Sequence, residues 1–163
     1  MTIRKYVLSL AAGLTLALAA TAASAASIVN VELWDKGAGM TMATDMAYGT
    51  PGMDMSKATM GVKVAPPTVR AGIVSFRVTN TSKDTVHEMI VMYLADPTKP
   101  LPYVTADSKV DEDKAGDKGE VSELDPGKSG ELTVALQPGK YVLICNVAGH
   151  FAAGMWTTFE VSK

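Results

Sequence analysis

The chain has a single cysteine, Cys145, among 163 residues, which excludes an intrachain disulfide. Histidine is almost as scarce, with only His87 and His150. No sustained helical period, internal repeat or low-complexity tract runs through the sequence, so a helical bundle and a repeat solenoid are both set aside. A glycine-rich phosphate loop is missing, and so is any excess of positive charge: 15 basic residues face 17 acids. Nucleic acid is therefore not a partner that the composition favours.

The longest apolar run lies at the start. Arg4 and Lys5 form a positive n-region, Val7 to Ala20 an apolar h-region, and Ala23-Ser24-Ala25 an A-x-A cleavage site. About 14 apolar residues are too few to span a bilayer comfortably, so residues 1–25 read as a secretory signal, with residues 26–163 as one domain and no membrane span in the mature protein. Loss of Arg4 and Lys5 leaves 13 basic residues against 17 acids, a mature charge of −4. Export, into a bacterial periplasm, makes the lone cysteine informative. A free thiol is a liability in an oxidising compartment, and holding it as a metal thiolate removes that liability.

The rest of the chain reads as strands. Residues 28–34 alternate, with Val29, Val31 and Leu33 on one face. Residues 35–60 break every period with Gly37, Gly39, Gly49, Pro51 and Gly52, carry Met40, Met42, Met46, Met53, Met55 and Met60, and suggest at most a helical turn around Thr44 to Tyr48. Strands are expected over 61–65 and 73–80, separated by the turn residues 66–72. Another is expected from His87 onward, apolar on both faces beyond Glu88 and so covered on both sides. Residues 96–130 read as a second excursion. In it Asp107, Asp111, Glu112, Asp113, Asp117, Glu120, Glu123 and Asp125 outnumber Lys109, Lys114, Lys118 and Lys128, giving a solvated loop or an acidic docking face for a basic partner. Strands at 131–136, 141–144 and 156–161 complete an all-β sandwich with Greek-key connections.

The most informative stretch is Cys145-Asn146-Val147-Ala148-Gly149-His150-Phe151-Ala152-Ala153-Gly154-Met155. It sets a thiolate, an imidazole and a thioether five residues apart on one loop, after a turn at Gln137 to Lys140 and a short apolar strand. His87 supplies a second imidazole. Two His, one Cys and a weak axial Met form the donor set of a blue-copper centre. Zinc takes two His and one Cys with an open position, but that gives Met155 no role.

With this pattern, Pro-Gly-x-Tyr-x-Leu-x-Cys-x4-His-x4-Met, the sequence resembles the cupredoxin family of type 1 copper proteins, with a ligand loop of the auracyanin, rusticyanin and sulfocyanin type. The resemblance runs from about Ser27 to Lys163 and is loosest in the N-terminal third. It implies one copper per chain held by His87, Cys145, His150 and Met155, cycling between Cu(I) and Cu(II) in one-electron transfer rather than in enzyme catalysis, since both histidines are used and none is left for a second copper centre. It further implies that the His150 edge reaches the surface within an apolar patch, formed by loop residues such as Val147, Phe151 and Ala152, where a redox protein docks transiently. Two positions depart from the family pattern: Glu88 stands where a small polar residue often follows the first His, and Ala148 where a Pro often precedes Gly-His. These affect tuning rather than the ligand set. The opening His87-Glu88-Met89 also resembles exported cupredoxin-like proteins of copper handling. In that alternative function, copper resistance, storage or delivery, Met40, Met42, Met53 and Met55 supply thioethers for an accessory Cu(I).

Overall fold

Alternation of apolar and polar residues, interrupted by turn residues, divides the chain into strands in the computed structural model, which describes residues 25–163. The secretory segment expected over residues 1–25 lies outside the described residues but for Ala25. In chain order the strands are β1 (Ser27–Asp35), β2 (Met60–Ala65), β3 (Thr68–Arg70), β4 (Gly72–Asn80), β5 (His87–Tyr93), β6 (Tyr103–Val104), β7 (Lys109–Val110), β8 (Asp117–Leu124), β9 (Ser129–Leu136), β10 (Gly139–Ile144) and β11 (Trp156–Ser162). They form one sheet in the order β2-β1-β4-β9, a second in the order β3-β11-β10-β5-β8, and a small β6-β7 ribbon. This is the expected Greek-key β-sandwich. Among the described residues no helix is long and apolar enough to cross a membrane.

The register follows the side-chain pattern. β1 lies parallel to β4 with Val29 beside Phe76 and Val31 beside Val78, and β4 lies antiparallel to β9 with Phe76 beside Leu132. A one-residue slip would turn these side chains outward, so burial fixes the pairing. From the other sheet, Met89, Val91, Tyr141, Leu143, Phe159 and Val161 close the same core. Phe76 and Phe159 meet edge-to-face, ring centroids 5.3 Å apart.

The two excursions are more structured than the sequence suggests. The first has no helical turn at Thr44–Tyr48. Its single turn of 3-10 helix is at Met55–Lys57, where the Asp54 carboxylate accepts from the Ser56 N–H and so caps the start. Residues 66–72, expected as turn alone, include β3, which extends the second sheet beside β11. The second excursion holds β6, β7, a short helix α1 (Glu112–Ala115) and the eight-residue edge strand β8. β8 escapes a period-2 reading because its pairing with β5 shifts register twice, between His87 and Met89 and between Ile90 and Met92, and because Val121 is its one fully inward residue. Its acids are thus those of an edge strand, where charge discourages pairing with another chain.

The same excursion builds a second apolar cluster on the outer face of the second sheet. Leu101, Val110 and Ala115 pack with Phe151 against Ile90, Met92, Val142 and Ile144. β5 and β10 are therefore covered on both faces, as expected for β5, and these are the two strands that lead to His87 and Cys145.

The register sets a contrast within one strand: Phe76 is fully buried while Ile73 is 46% exposed. Phe76→Ala should lower unfolding free energy by about 3–5 kcal/mol, whereas Ile73→Ala should stay within roughly 0.5 kcal/mol. Denaturant unfolding of the two variants measures the difference, and equal losses would contradict this register.

Candidate metal centre

The inward face of β10 runs Tyr141, Leu143 and then, one step past the strand, Cys145, all in the inner core. Its antiparallel partner β5 pairs Val91 with Leu143 and Ile90 with Ile144, which brings the start of β5 alongside Cys145. Two antiparallel strands thus carry His87 and Cys145 to the same pole of the sandwich. The loop 145–155 then folds back on itself. Cys145 N–H donates to the Met155 carbonyl (3.0 Å) and Met155 N–H to the His150 carbonyl (3.0 Å). Gly149 and Gly154 take left-handed backbone (φ 84° and 96°), one before His150 and the other before Met155.

The result is a buried triad. Ligand atoms of His87, Cys145 and His150 all lie within 4.8 Å of one another. His87 Nδ1 and His150 Nδ1 are 3.3 Å apart, and Cys145 Sγ is 3.4 Å from His150 Nδ1 and 4.0 Å from His87 Nδ1. A metal bonded at about 2.0 Å to nitrogen and about 2.3 Å to sulfur in a trigonal plane sets N and N about 3.5 Å apart and N and S about 3.7 Å apart. The two observed N–S distances bracket that value and the N–N distance is about 0.2 Å shorter, so small shifts of the side chains fit the donors to a trigonal metal. Met155 is fully buried in the same inner cluster as Cys145.

Burial shapes the protonation of each group. It pushes the Cys145 thiol up to about 12, against N–H groups of Glu88 and Val147 that favour the thiolate. It pushes His150 down to about 4, with the neighbouring His87 acting in the same direction and Asp35 against it, and it holds His87 below its ordinary value although Asp35 pulls the other way. In the metal-free fold at neutral pH the imidazoles are therefore neutral, with lone pairs available, and the sulfur is a thiol. A metal displaces the thiol proton, so affinity rises with pH. Glu88 donates its N–H to Cys145 Sγ (3.4 Å), and its own buried carboxyl is pushed up to about 7, chiefly by desolvation and then by the charge of Glu123.

Both excursions brace the ligand loop. Asn146, the residue after the cysteine, accepts the Val110 N–H (2.7 Å) and donates to the Val110 carbonyl (3.0 Å) and to Glu112 (2.7 Å), while Gly149 N–H donates to the Ser108 carbonyl (2.8 Å). From the other side, Met46 N–H donates to the Ala152 carbonyl (2.9 Å), Trp156 Nε1–H donates to the Met46 carbonyl (2.7 Å), and Tyr48 meets the Trp156 ring edge-on.

These contacts correct the expected surface patch. Phe151 is 1% exposed and stacks near Tyr103, and Ala152 is buried as well. Phe151 is drawn inward because α1 and the β6-β7 ribbon leave an apolar hollow over the outer sheet. Beside His150, the loop reaches the surface through Val147, Ala148 and Gly149, and only Ala148 is fully exposed.

The methionines divide. Met46 and Met60 are buried. Met40 is half-buried against the inner core, to which Val147 of the loop also packs. Met53 is half-buried near Asp45, Asp54 and Lys57. Met42 and Met55 are exposed, and each methyl carbon rests over a glycine of the loop: a Cβ added at Gly149 would lie 3.2 Å from the Met42 methyl, and one at Gly154 would lie 3.5 Å from that of Met55.

Two residues of the site were missed in the sequence. Asn146 gives no signal there, since its partners come from an irregular segment. Asp35 did leave one: Val29, Val31 and Leu33 face inward, and Asp35 is the next inward position, where its carboxylate accepts from His87 Nε2–H (2.8 Å).

Comparison with known proteins agrees with this geometry. The family model of the sulfocyanin (SoxE) domain matches residues 55–163. Among solved structures, auracyanin B is 19% identical with a TM-score of 0.55, covering 86% of this chain and 92% of its own. A dithionite-reduced auracyanin from the photosynthetic bacterium Roseiflexus castenholzii is 18% identical with a TM-score of 0.52, covering 86% and 100%. Rusticyanin from Thiobacillus ferrooxidans is 19% identical with a TM-score of 0.50, covering 85% and 79%. No curated protein matches the chain. The family match takes in well over half of the sequence, including both strands and the whole loop that converge on the triad, and the chain belongs to the sulfocyanin (SoxE) family of cupredoxin blue copper proteins.

Proposed function

We propose that this protein is an exported, periplasmic one-electron carrier in which a single copper is held by His87, Cys145, His150 and Met155. The observation that carries the proposal is the convergence of three buried donor atoms within 4.8 Å of one another at the end of two doubly covered strands. Copper bound there would shuttle between Cu(II) and Cu(I). What the chain itself does is hold the donors still: Cys145 and His150 are locked by the hydrogen bonds of one loop, and His87 by strand pairing. Stiffly held ligands keep the site from relaxing toward the geometry preferred by either oxidation state. The chain's two histidines both belong to this centre, which supports a carrier rather than an enzyme. The n-region, h-region and A-x-A site of residues 1–25 support export.

Electrons would enter and leave near His150, through Val147, Ala148 and Gly149. A transient redox partner suits a small patch of this kind.

Copper handling remains the second reading because Met42 and Met55 place exposed thioethers against the ligand loop. Thioethers favour Cu(I).

Four outcomes follow. Adding Cu(II) to the mature protein should give intense visible thiolate-to-copper absorption, lost in Cys145→Ser. Met155→Leu should keep the colour and raise the potential, and Met155→Gln should lower it; a fully metallated but colourless wild type would sink the assignment. Ala148→Lys should slow electron self-exchange by about tenfold, since docking then opposes like charges, with the absorption spectrum intact; an unchanged rate would place the port elsewhere. Cu(I) titration should saturate at one equivalent. A second equivalent that disappears when Met40, Met42, Met53 and Met55 are all changed to Leu would instead favour handling.

A further inference from the structure

Asp35 closes β1 at the position where the inward series Val29, Val31, Leu33 would call for another apolar residue. Its side chain is 1% exposed, and it accepts from His87 Nε2–H at 2.8 Å, with the His87 side chain fully buried. The other carboxylate oxygen accepts from Gly37 N–H (2.7 Å). A buried carboxylate whose ion-pair partner among the described residues is a histidine is expensive unless its donors are fixed, and here one comes from β5 and the other from the turn that follows β1.

We propose that Asp35 is the positioning residue of this centre, fixing His87 with its proton on Nε2 and its Nδ1 lone pair facing Cys145 and His150, and biasing the bound copper toward Cu(II). The inference rests on the copper reading above. Two physical effects work in the same direction. A neutral imidazole that donates to a carboxylate is a stronger σ-donor through its other nitrogen. The charge count adds to this: with the Cys145 thiolate and Asp35 both negative, the buried assembly is neutral with Cu(II) and carries one negative charge with Cu(I). A low-dielectric interior favours the neutral assembly.

The experiment is redox titration of copper-loaded wild type and Asp35→Asn. Asparagine still offers an oxygen to His87 Nε2–H, so the blue absorption should persist. Removal of the charge should shift the Cu(II)-over-Cu(I) affinity ratio at least tenfold toward Cu(I), a rise in potential of about 59 mV or more. An unchanged potential in Asp35→Asn would overturn the proposal; if Asp35→Asn does not fold, the proton spectrum of the metal-free wild type decides it alone. In the metal-free wild type, NMR should show a downfield, exchange-protected His87 Nε2 proton that Asp35→Asn moves upfield. Its absence would overturn the proposal even if the chain binds no copper, whereas a colourless copper-loaded wild type with that proton present would sink only the copper reading.

Discussion

The sandwich is organised around one buried cluster of donors, His87, Cys145 and His150. His87 Nδ1 and His150 Nδ1 lie 3.3 Å apart and Cys145 Sγ is within 4.0 Å of both, so three polar groups are gathered where solvent does not reach. Such a cluster persists only if the backbone over-determines it, and the backbone does so. Strand pairing sets His87, the Cys145–Met155 hydrogen bond closes the loop, and Asn146 ties that loop to β7. The site is held by elements that are themselves packed into the apolar core.

Double coverage of β5 and β10 is the structural means of that rigidity. A strand with one wet face can flex toward solvent, while one sealed on both sides moves only with its neighbours. Phe151 illustrates the link between packing and function. Buried beneath Tyr103 rather than displayed beside His150, it serves as an anchor that pins the middle of the ligand loop to the outer sheet. The surface beside His150 is consequently narrow, limited to small residues and overhung by Met42.

Legibility of this site in the sequence followed how locally each residue's role is encoded. Cys145, His150 and Met155 share one loop at fixed spacing, and the strand before them has a plain apolar run; the structure brings Cys145 and His150 together with His87 and buries Met155 beside them. β8 was hidden because register shifts erase its alternation and acids occupy its open side. The inward turn of Phe151 was hidden because its cavity is built by residues 101–115, far away in sequence and without a regular period. Asp35 was legible in principle: extending the inward face of β1 by one step places a carboxylate in the core, and a buried acid without an evident partner calls for one.

Burial also weighs between carrying electrons and carrying copper. Cys145, His87 and Met155 are fully buried and His150 is 6% exposed, so an acceptor protein has no direct approach to the donors. Metal release from such a centre requires the loop to open, breaking the hydrogen bonds to Met155, Val110 and Ser108 together and exposing the Phe151 anchor. Electron exchange needs none of that, because an electron crosses a packed loop that a metal ion cannot. Among the described residues the exposed thioethers are those of Met42 and Met55, which rest on different glycines of the loop, Gly149 and Gly154. For copper to pass to a partner, it would have to leave by those two side chains; for electrons to pass, the closed loop already suffices, and the fold invests its contacts in keeping that loop closed.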